Sequence, residues 1–260
     1  MSTTERQLRF PAGLIAPVVM IVVWEIAARM GELPKYLVAP SAIFAQFWVM
    51  VADGDLFVHA GASLYRALMG FAIGAMLGAA IGLWAGAVRP LERFTDPIIS
   101  LTYPIPKIAV LPIIFAWFGL GDASKIVVIT ASVFYPVYIA AFYGAKATRT
   151  LHVWSAKNMG ANAWDIFRRV VVPSALPQLF GGLRIGLALS FIVMFTAELI
   201  ASSTGLGYLI SSAENQQRFD IMYVAIIAIG AIGFIADRLL LTVRRRVLTG
   251  QLLANDLPGG

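Results

Sequence analysis

Ala67-Leu-Met-Gly70-Phe-Ala-Ile-Gly74-Ala-Met-Leu-Gly78-Ala-Ala-Ile-Gly82-Leu-Trp-Ala-Gly86-Ala-Val88 carries no charged side chain from end to end. A helix that crosses a bilayer needs about 20 mostly apolar residues, and this stretch supplies them in one piece. Gly70, Gly74, Gly78, Gly82 and Gly86 recur at every fourth position, so small residues form a stripe along one face of the helix. In lipid such a stripe lets two helix backbones approach closely and pack by van der Waals contact. The partner is either another helix of the same chain or the same helix of a second copy.

Working outward, residues 126–144 are also uncharged, and residues 11–28, 97–118, 179–201 and 221–241 are similarly apolar. These runs make six candidate spans. Arg6 and Arg9 ahead of the first would also suit a secretory signal. Its length, and Trp24 and Glu25 inside it, favour a span. Composition agrees with a membrane protein. Hydrophobic residues make up 59% of the 260 and charged residues 13%; mean hydropathy is +0.80. Soluble domains average about 45–50% and about 25% respectively. A soluble enzyme, a disordered chain and a fibrous repeat are all excluded. The expected fold class is all-α and integral to the membrane.

The net charge is +6. In a soluble protein that would suggest nucleic acid; here it sets topology, because Lys and Arg concentrate in cytoplasmic loops. Arg6, Arg9, Arg89, Arg93, Lys146, Arg149, Lys157, Arg168, Arg169, Arg244, Arg245 and Arg246 lie on one side, twelve in all. Lys35, Lys125 and Arg218 lie on the other, with Arg29 and Arg66 near span ends. Both termini and residues 145–178 are therefore expected to face the cytoplasm. The resulting division is an N-terminus over 1–10, a six-span region over 11–246 and a cytoplasmic tail over 247–260.

Catalytic machinery is not legible. The chain has no cysteine, and its two histidines, His59 and His152, are far apart. Neither a Gly-x-x-x-x-Gly-Lys-Ser/Thr loop for ATP nor a Gly-x-Ser-x-Gly elbow nor a His-Glu-x-x-His pair occurs. No catalytic residue, cofactor or metal ligand is assigned. Glu25 and Glu198 sit near outer span ends, and Asp237 and Arg238 near the inner end of the sixth, where they can pair locally or snorkel. A transport protein powered by another chain is the leading class.

The polar stretch Trp154-Ser-Ala-Lys-Asn-Met-Gly160-Ala-Asn-Ala-Trp-Asp-Ile-Phe-Arg-Arg-Val-Val-Val-Pro173-Ser-Ala-Leu-Pro177 is too regular for a slack loop. Gly160 suits a left-handed helix stop. Asn162 can cap the next helix, with Asp165 in its first turn where the dipole favours negative charge. Trp164, Phe167 and Val171 share one face, and Pro173 and Pro177 are expected to end the helix. On periodicity alone, this short amphipathic helix either lies in the headgroup layer or meets a protein.

Gly160 followed by Val172-Pro173 resembles the cytoplasmic "EAA" signature of permease subunits of bacterial ABC importers. Trp154 and Ser155 stand where Glu and Ala are usual, while Ala156 is retained. Ser63-Leu-Tyr-Arg-Ala-Leu-Met-Gly-Phe71, Tyr103-Pro-Ile-Pro-Lys107 with Trp117-Phe-Gly-Leu-Gly121, Gly182-Leu-Arg-Ile-Gly186, and Ala197-Glu-Leu-Ile-Ala201 with Gly205-Leu-Gly-Tyr208 resemble the nitrate/sulfonate/taurine-type branch. The resemblance runs over residues 37–246. It implies the type I (MetI-like) importer permease fold, with six transmembrane helices and a coupling helix between the fourth and fifth. It also implies a permease dimer, ATPase subunits that bind ATP and Mg, an extracytoplasmic solute-binding protein, and residence in the bacterial inner membrane. By the same resemblance, Ala156, Gly160, Ala161, Asn162, Ala163, Trp164, Asp165, Ile166, Phe167 and Arg168 form the coupling segment. Substrates across the branch include nitrate, sulfonates, taurine, bicarbonate and aromatic carboxylates.

In the third span Pro104, Pro106 and Pro112 remove backbone donors. Such breaks survive at depth only beside protein or a water-filled cavity. Tyr103, Pro104, Pro106, Lys107, Thr196 and Glu198 are therefore candidates for a translocation pathway, with Lys107 offering positive charge to a small anion or else snorkelling to the interface. Glu198 suits a structural partner of a nearby Arg or amide better than a solute contact. The rival function is a secondary transporter driven by an ion gradient, or a channel subunit, with no ATPase partner.

Overall fold

The computed structural model describes residues 12–31, 34–148 and 150–255, and among the described residues every regular element is helical. In chain order these are α1 (Ala12–Arg29), α2 (Pro40–Ala52), α3 (Asp55–Ala87), α4 (Arg89–Thr102), a 3-10 turn (Lys107–Val110), α5 (Leu111–Phe118) and α6 (Asp122–Lys146). Then follow α7 (Thr150–Asn158), α8 (Ala163–Ile166), a π turn (Phe167–Val171), α9 (Val172–Ile200), α10 (Leu206–Asn215) and α11 (Phe219–Asn255).

Four helical runs are long and apolar enough to cross a membrane: α3, α6, the continuous stretch Ala163–Ile200, and α11 over Phe219–Thr249. The run from α4 to α5 makes a fifth if the two arms are one broken span, bent by 81°. The first expected run falls on α1, an apolar helix of 18 residues.

The glycine stripe faces α6 within the same chain. A Cβ at Gly74 would sit 2.6 Å from the Thr130 carbonyl oxygen, at Gly78 2.7 Å from that of Phe134, and at Gly82 2.5 Å from that of Tyr138. Gly86 makes the same approach to the Phe142 carbonyl, and at the other end of the seam Gly70 lies against the Ile129 side chain. From the α9 side, Gly182 and Gly186 lie against Pro136, Val137 and Val133 of α6, so Val133 and Val137 are pinched between the two seams. Helix α6 is thus enclosed, and its Val128, Ile129, Val133, Val137 and Ala141 have no exposed surface. Lipid provides no hydrophobic drive between helices, so backbone-close packing holds this trio together. Helix α11 keeps Ile226, Ile227, Phe234, Ile235 and Leu239 exposed, as a lipid-facing helix does. A second apolar cluster joins α2 and α10 to α11 through Ile43, Met50, Leu206, Ile210, Val224 and Ala225.

Several boundaries differ from the sequence expectation. Helix α3 begins at Asp55 rather than residue 67, because its polar first turns find partners in other helices. The third span is no straight helix: α4 starts at Arg89, with Val88 alone between it and α3, so Arg89 and Arg93 belong to a helix rather than a turn. Pro173 and Pro177 do not stop the helix that starts at Ala163. Pro173 enters just after the π turn, whose wider i→i+5 geometry accommodates a ring that would strike a carbonyl in α geometry. Helix α11 continues through Asn255, so the expected tail begins as helix. Residues 1–10, with Arg6 and Arg9, and also Arg149 and residues 256–260 lie outside the described residues.

Candidate functional site

Three places gather polar or exposed groups. The first is a buried ionic hub joining α3, α6, α9 and the turn before α10. Arg66 is 4% exposed and Glu198 1%. Arg66 Nε donates to Asp122 Oδ1 at 2.6 Å, Nη1 to Glu198 Oε1 at 2.7 Å and to the Thr204 carbonyl at 2.7 Å, and Nη2 to Thr204 Oγ1 at 2.9 Å. Glu198 Oε2 also accepts from Ser63 Oγ at 2.7 Å and from the Gly207 amide at 2.9 Å. Ser63 Oγ accepts the Leu206 amide, and His59 Nδ1 the Gly205 amide at 3.1 Å. Gly205 has φ +115, and a Cβ there would overlap the Glu198 carboxylate. Nearby, Lys125 is buried rather than loop-exposed, donating to the carbonyls of Leu120 and Gly121. Each buried charge has partners, so the hub is a clamp rather than a reaction centre. Sequence reasoning missed Arg66, Ser63 and Asp122. The available signal was the presence of Arg66 and Glu198, opposite charges in two long and largely apolar helices.

The second place is the break between α4 and α5. Beyond Tyr103 the chain leaves the helix over residues 104–106, and Lys107 folds back so that its ammonium donates to the carbonyls of Thr102 at 3.0 Å and Tyr103 at 2.6 Å. These are carbonyls at the C-terminal end of α4, where a cation also meets the negative end of the dipole. The ammonium lies 4.0 Å from the centre of the Tyr135 ring, within cation–π range. Tyr103, Pro104, Pro106 and Lys107 line one cavity of about 510 Å³, with Ser132 and Tyr135 of α6 and Ile185, Leu189 and Val193 of α9. Thr196 and Glu198 are not part of it. Thr196 Oγ1 bonds the Ile192 carbonyl of its own helix, and Glu198 belongs to the hub.

The third place is the surface built by α7, the Gly160 turn and α8. Gly160 has φ +80, the left-handed stop its position suggests. Asn162 Oδ1 accepts the Asp165 amide at 2.9 Å, capping α8, and Arg169 lies 3.4 Å from the Asp165 carboxylate. Ala156 and Ile166 are buried and Ala161 packs on them, while Asn162, Ala163 and Arg168 are exposed. Phe167 stacks on Trp164 and meets Trp84 of α3 edge-on. The expected single apolar face does not hold: Val171 is buried, but Trp164 is 58% exposed and Ile166 takes the inward position. The π turn shifts the register that 3.6-residue spacing assumes. Leu151, Trp154, Met159 and Trp164 stand out together on this surface, Met159 at 81% exposure.

Comparison with known proteins gives these geometries a context. Residues 70–249 match the family described as "Binding-protein-dependent transport system inner membrane component". The putative aliphatic sulfonates transport permease protein SsuC of Bacillus subtilis (strain 168) is 32% identical, covering 91% of this chain and 86% of that protein. The taurine transport system permease protein TauC of Escherichia coli (strain K12) is 31% identical, covering 93% and 90%. In fold, the chain is similar to an inward-facing structure of the MetNI methionine ABC transporter, with a TM-score of 0.64, 19% identity, and 77% of this chain and 96% of that one covered. With a family match across most of its length, and relatives aligned nearly end to end, this chain belongs to the binding-protein-dependent transport system inner membrane components, the membrane-spanning permeases of ABC transport systems.

Proposed function

We propose that this chain is the permease subunit of an ATP-driven importer for a small anion of the sulfonate class. Six spans fit the reading: α1, α3, the bent α4–α5 pair, α6, α9 and α11. Both termini and the α7–α8 surface face the cytoplasm, as the Lys and Arg distribution favours. A second permease copy completes the pathway, partner ATPase subunits bind ATP and Mg, and a solute-binding protein delivers the solute from the other side. The solute class rests on the names of the sulfonate and taurine relatives and on the net positive character of the chain.

One observation carries the reading: Leu151, Trp154, Met159 and Trp164 are all exposed within one short segment that includes a capped helix, between the chain positions of Lys146 and Arg168. Exposed aromatics on a rigid base suit a protein partner, and this segment supplies the coupling helix. Replacing Trp164 by Ala is expected to lower binding-protein-stimulated ATP hydrolysis by about tenfold or more, the scale of an interface hot spot. Permease yield and thermal stability should stay unchanged. Stimulated hydrolysis at the wild-type rate in reconstituted liposomes would refute the docking role.

In this reading the solute passes beside the α4–α5 break, with Tyr103, Pro104, Pro106 and Lys107 along its route. Lys107 braces the break, since its ammonium binds the Thr102 and Tyr103 carbonyls at the helix end, where Pro106 offers no amide. Lys107→Ala is expected to cut ATP-dependent uptake about tenfold while co-purification with the ATPase persists; a charged hydrogen bond of about 1.5–3 kcal/mol is enough for that. Uptake indistinguishable from wild type would return Lys107 to a passive interfacial role. Uptake driven by a proton or sodium gradient without ATP would instead favour the secondary-transporter alternative.

A further inference from the structure

Arg184 on α9 and Asp237 on α11 form a two-pronged ion pair, with Nε 2.7 Å from Oδ1 and Nη2 3.0 Å from Oδ2. The sequence suggests local pairing or snorkelling for Asp237; the structure pairs it with a neighbouring helix. At about 1.5 Å per residue, Arg184 lies about 18 Å from the Val172 end of α9 and about 24 Å from the Ile200 end. Within the expected span over residues 179–201 it lies about 8 Å from the inner end, and it spends its Nε and Nη2 donors on Asp237 of the neighbouring helix. Yet the Arg184 side chain is 55% exposed, at the mouth of a cavity of about 320 Å³ shared with Phe191 and Gly233.

A half-exposed ion pair within a span is costly against hydrocarbon and is expected to face water or protein. The rest of the helix face agrees. Ser174, Gln178, Gly181, Arg184 and Ala188 form one exposed line at three- and four-residue spacing, with Ile185 beside it. They are small or polar, unlike the large apolar side chains that α11 exposes. Ile185 also lines the cavity at the α4–α5 break, so the polar line runs alongside the proposed route.

Three other cations in the bundle are engaged by polar partners, and Arg238, next to Asp237, lies over the Phe234 ring. Arg66 is enclosed by Asp122, Glu198 and Thr204. Lys107 is bound by two carbonyls and a ring, and Lys125 by two carbonyls. Arg184 donates two hydrogen bonds, both to Asp237, and its Nη1 group makes no polar contact among the described residues.

We propose that Arg184, steadied by Asp237, is a transit site for the anionic head group of the solute, taking a sulfonate on its free Nη1 edge. The planar fork suits such oxygens. Asp237 offsets the Arg184 charge, which keeps binding weak; a site on a conduit has to release what it takes. This inference rests on the permease reading and deepens it.

The test uses the full-length chain in lipid nanodiscs, with methanesulfonate as probe and neutral dimethyl sulfone as its isostere, at constant ionic strength. Methanesulfonate is expected to raise Tm with a midpoint on the order of 10 mM, and dimethyl sulfone to leave it unchanged. Asp237→Asn removes the neutralising charge and should lower the midpoint about tenfold. The double variant Arg184→Gln with Asp237→Asn keeps a hydrogen-bonded pair and should abolish the response. Absence of a methanesulfonate response in both the wild type and Asp237→Asn overturns the proposal. So does an equal response to the sulfone, or a response retained by the double variant. No ATPase takes part, so such a failure leaves the coupling result above, and the permease reading with it, standing.

Discussion

Replacing Glu198 by Ala is expected to lower the Tm of the purified permease by about 10 °C or more, the largest single effect in this molecule. The carboxylate is fully enclosed and accepts from Ser63, Arg66 and the Gly207 amide. Its removal leaves the Arg66 guanidinium buried, with Asp122, half-exposed, as its remaining carboxylate partner. Breaking one side of a buried pair costs about 3–5 kcal/mol, most of it the stranded charge rather than the lost attraction. In a chain of this size each kcal/mol moves Tm by about 2–4 °C. The diagnostic comparison is the double variant Arg66→Met with Glu198→Leu, which removes both charges and should recover most of the loss. If the double variant is as unstable as Glu198→Ala, stranded charge is the wrong explanation.

Gly82→Leu is the second large effect, expected to destabilise by about 3 kcal/mol or more through overpacking. A Cβ at Gly82 already falls 2.5 Å from the Tyr138 carbonyl oxygen and 2.8 Å from the Ala141 Cβ. Both neighbours are rigid parts of α6, so α3 itself has to move. Gly230 on α11 is the control, because nothing lies within 4 Å of a Cβ there. Gly230→Ala should be neutral or slightly stabilising, since alanine favours helix over glycine. Thermal unfolding followed by size-exclusion monodispersity distinguishes the two sites. Equal tolerance at both positions would mean that the seam is looser than these distances require.

The membrane class was plain in the sequence, because long uncharged runs leave a chain few other options. The glycine spacing also announced a close helix contact, although only coordinates could show that α6, rather than a second copy, fills it. The cap at Asn162 and the left-handed turn at Gly160 were legible because each depends on neighbours a few residues away. What escaped depends on distant partners. The polar turns of α3 look like a span end until Glu198 and Thr204 are seen to satisfy Arg66. The passage of a helix through Pro173 was hidden for another reason: a π turn leaves no mark in a 3.6-residue pattern. Arg184 and Asp237 are separated by more than fifty positions in sequence, so their pairing could not be read from either helix.

From Ala163 to Ile200 the chain is one unbroken helical rod. One tip of it bears Trp164, and near the other Glu198 is bolted to a neighbouring rod by Arg66. At about 1.5 Å per residue those two points are about 50 Å apart. A stiff bar packed against α6 along its middle and clamped near its far end moves as one body with its neighbours, so a load on the aromatic tip is carried the length of the bundle instead of being absorbed where it lands.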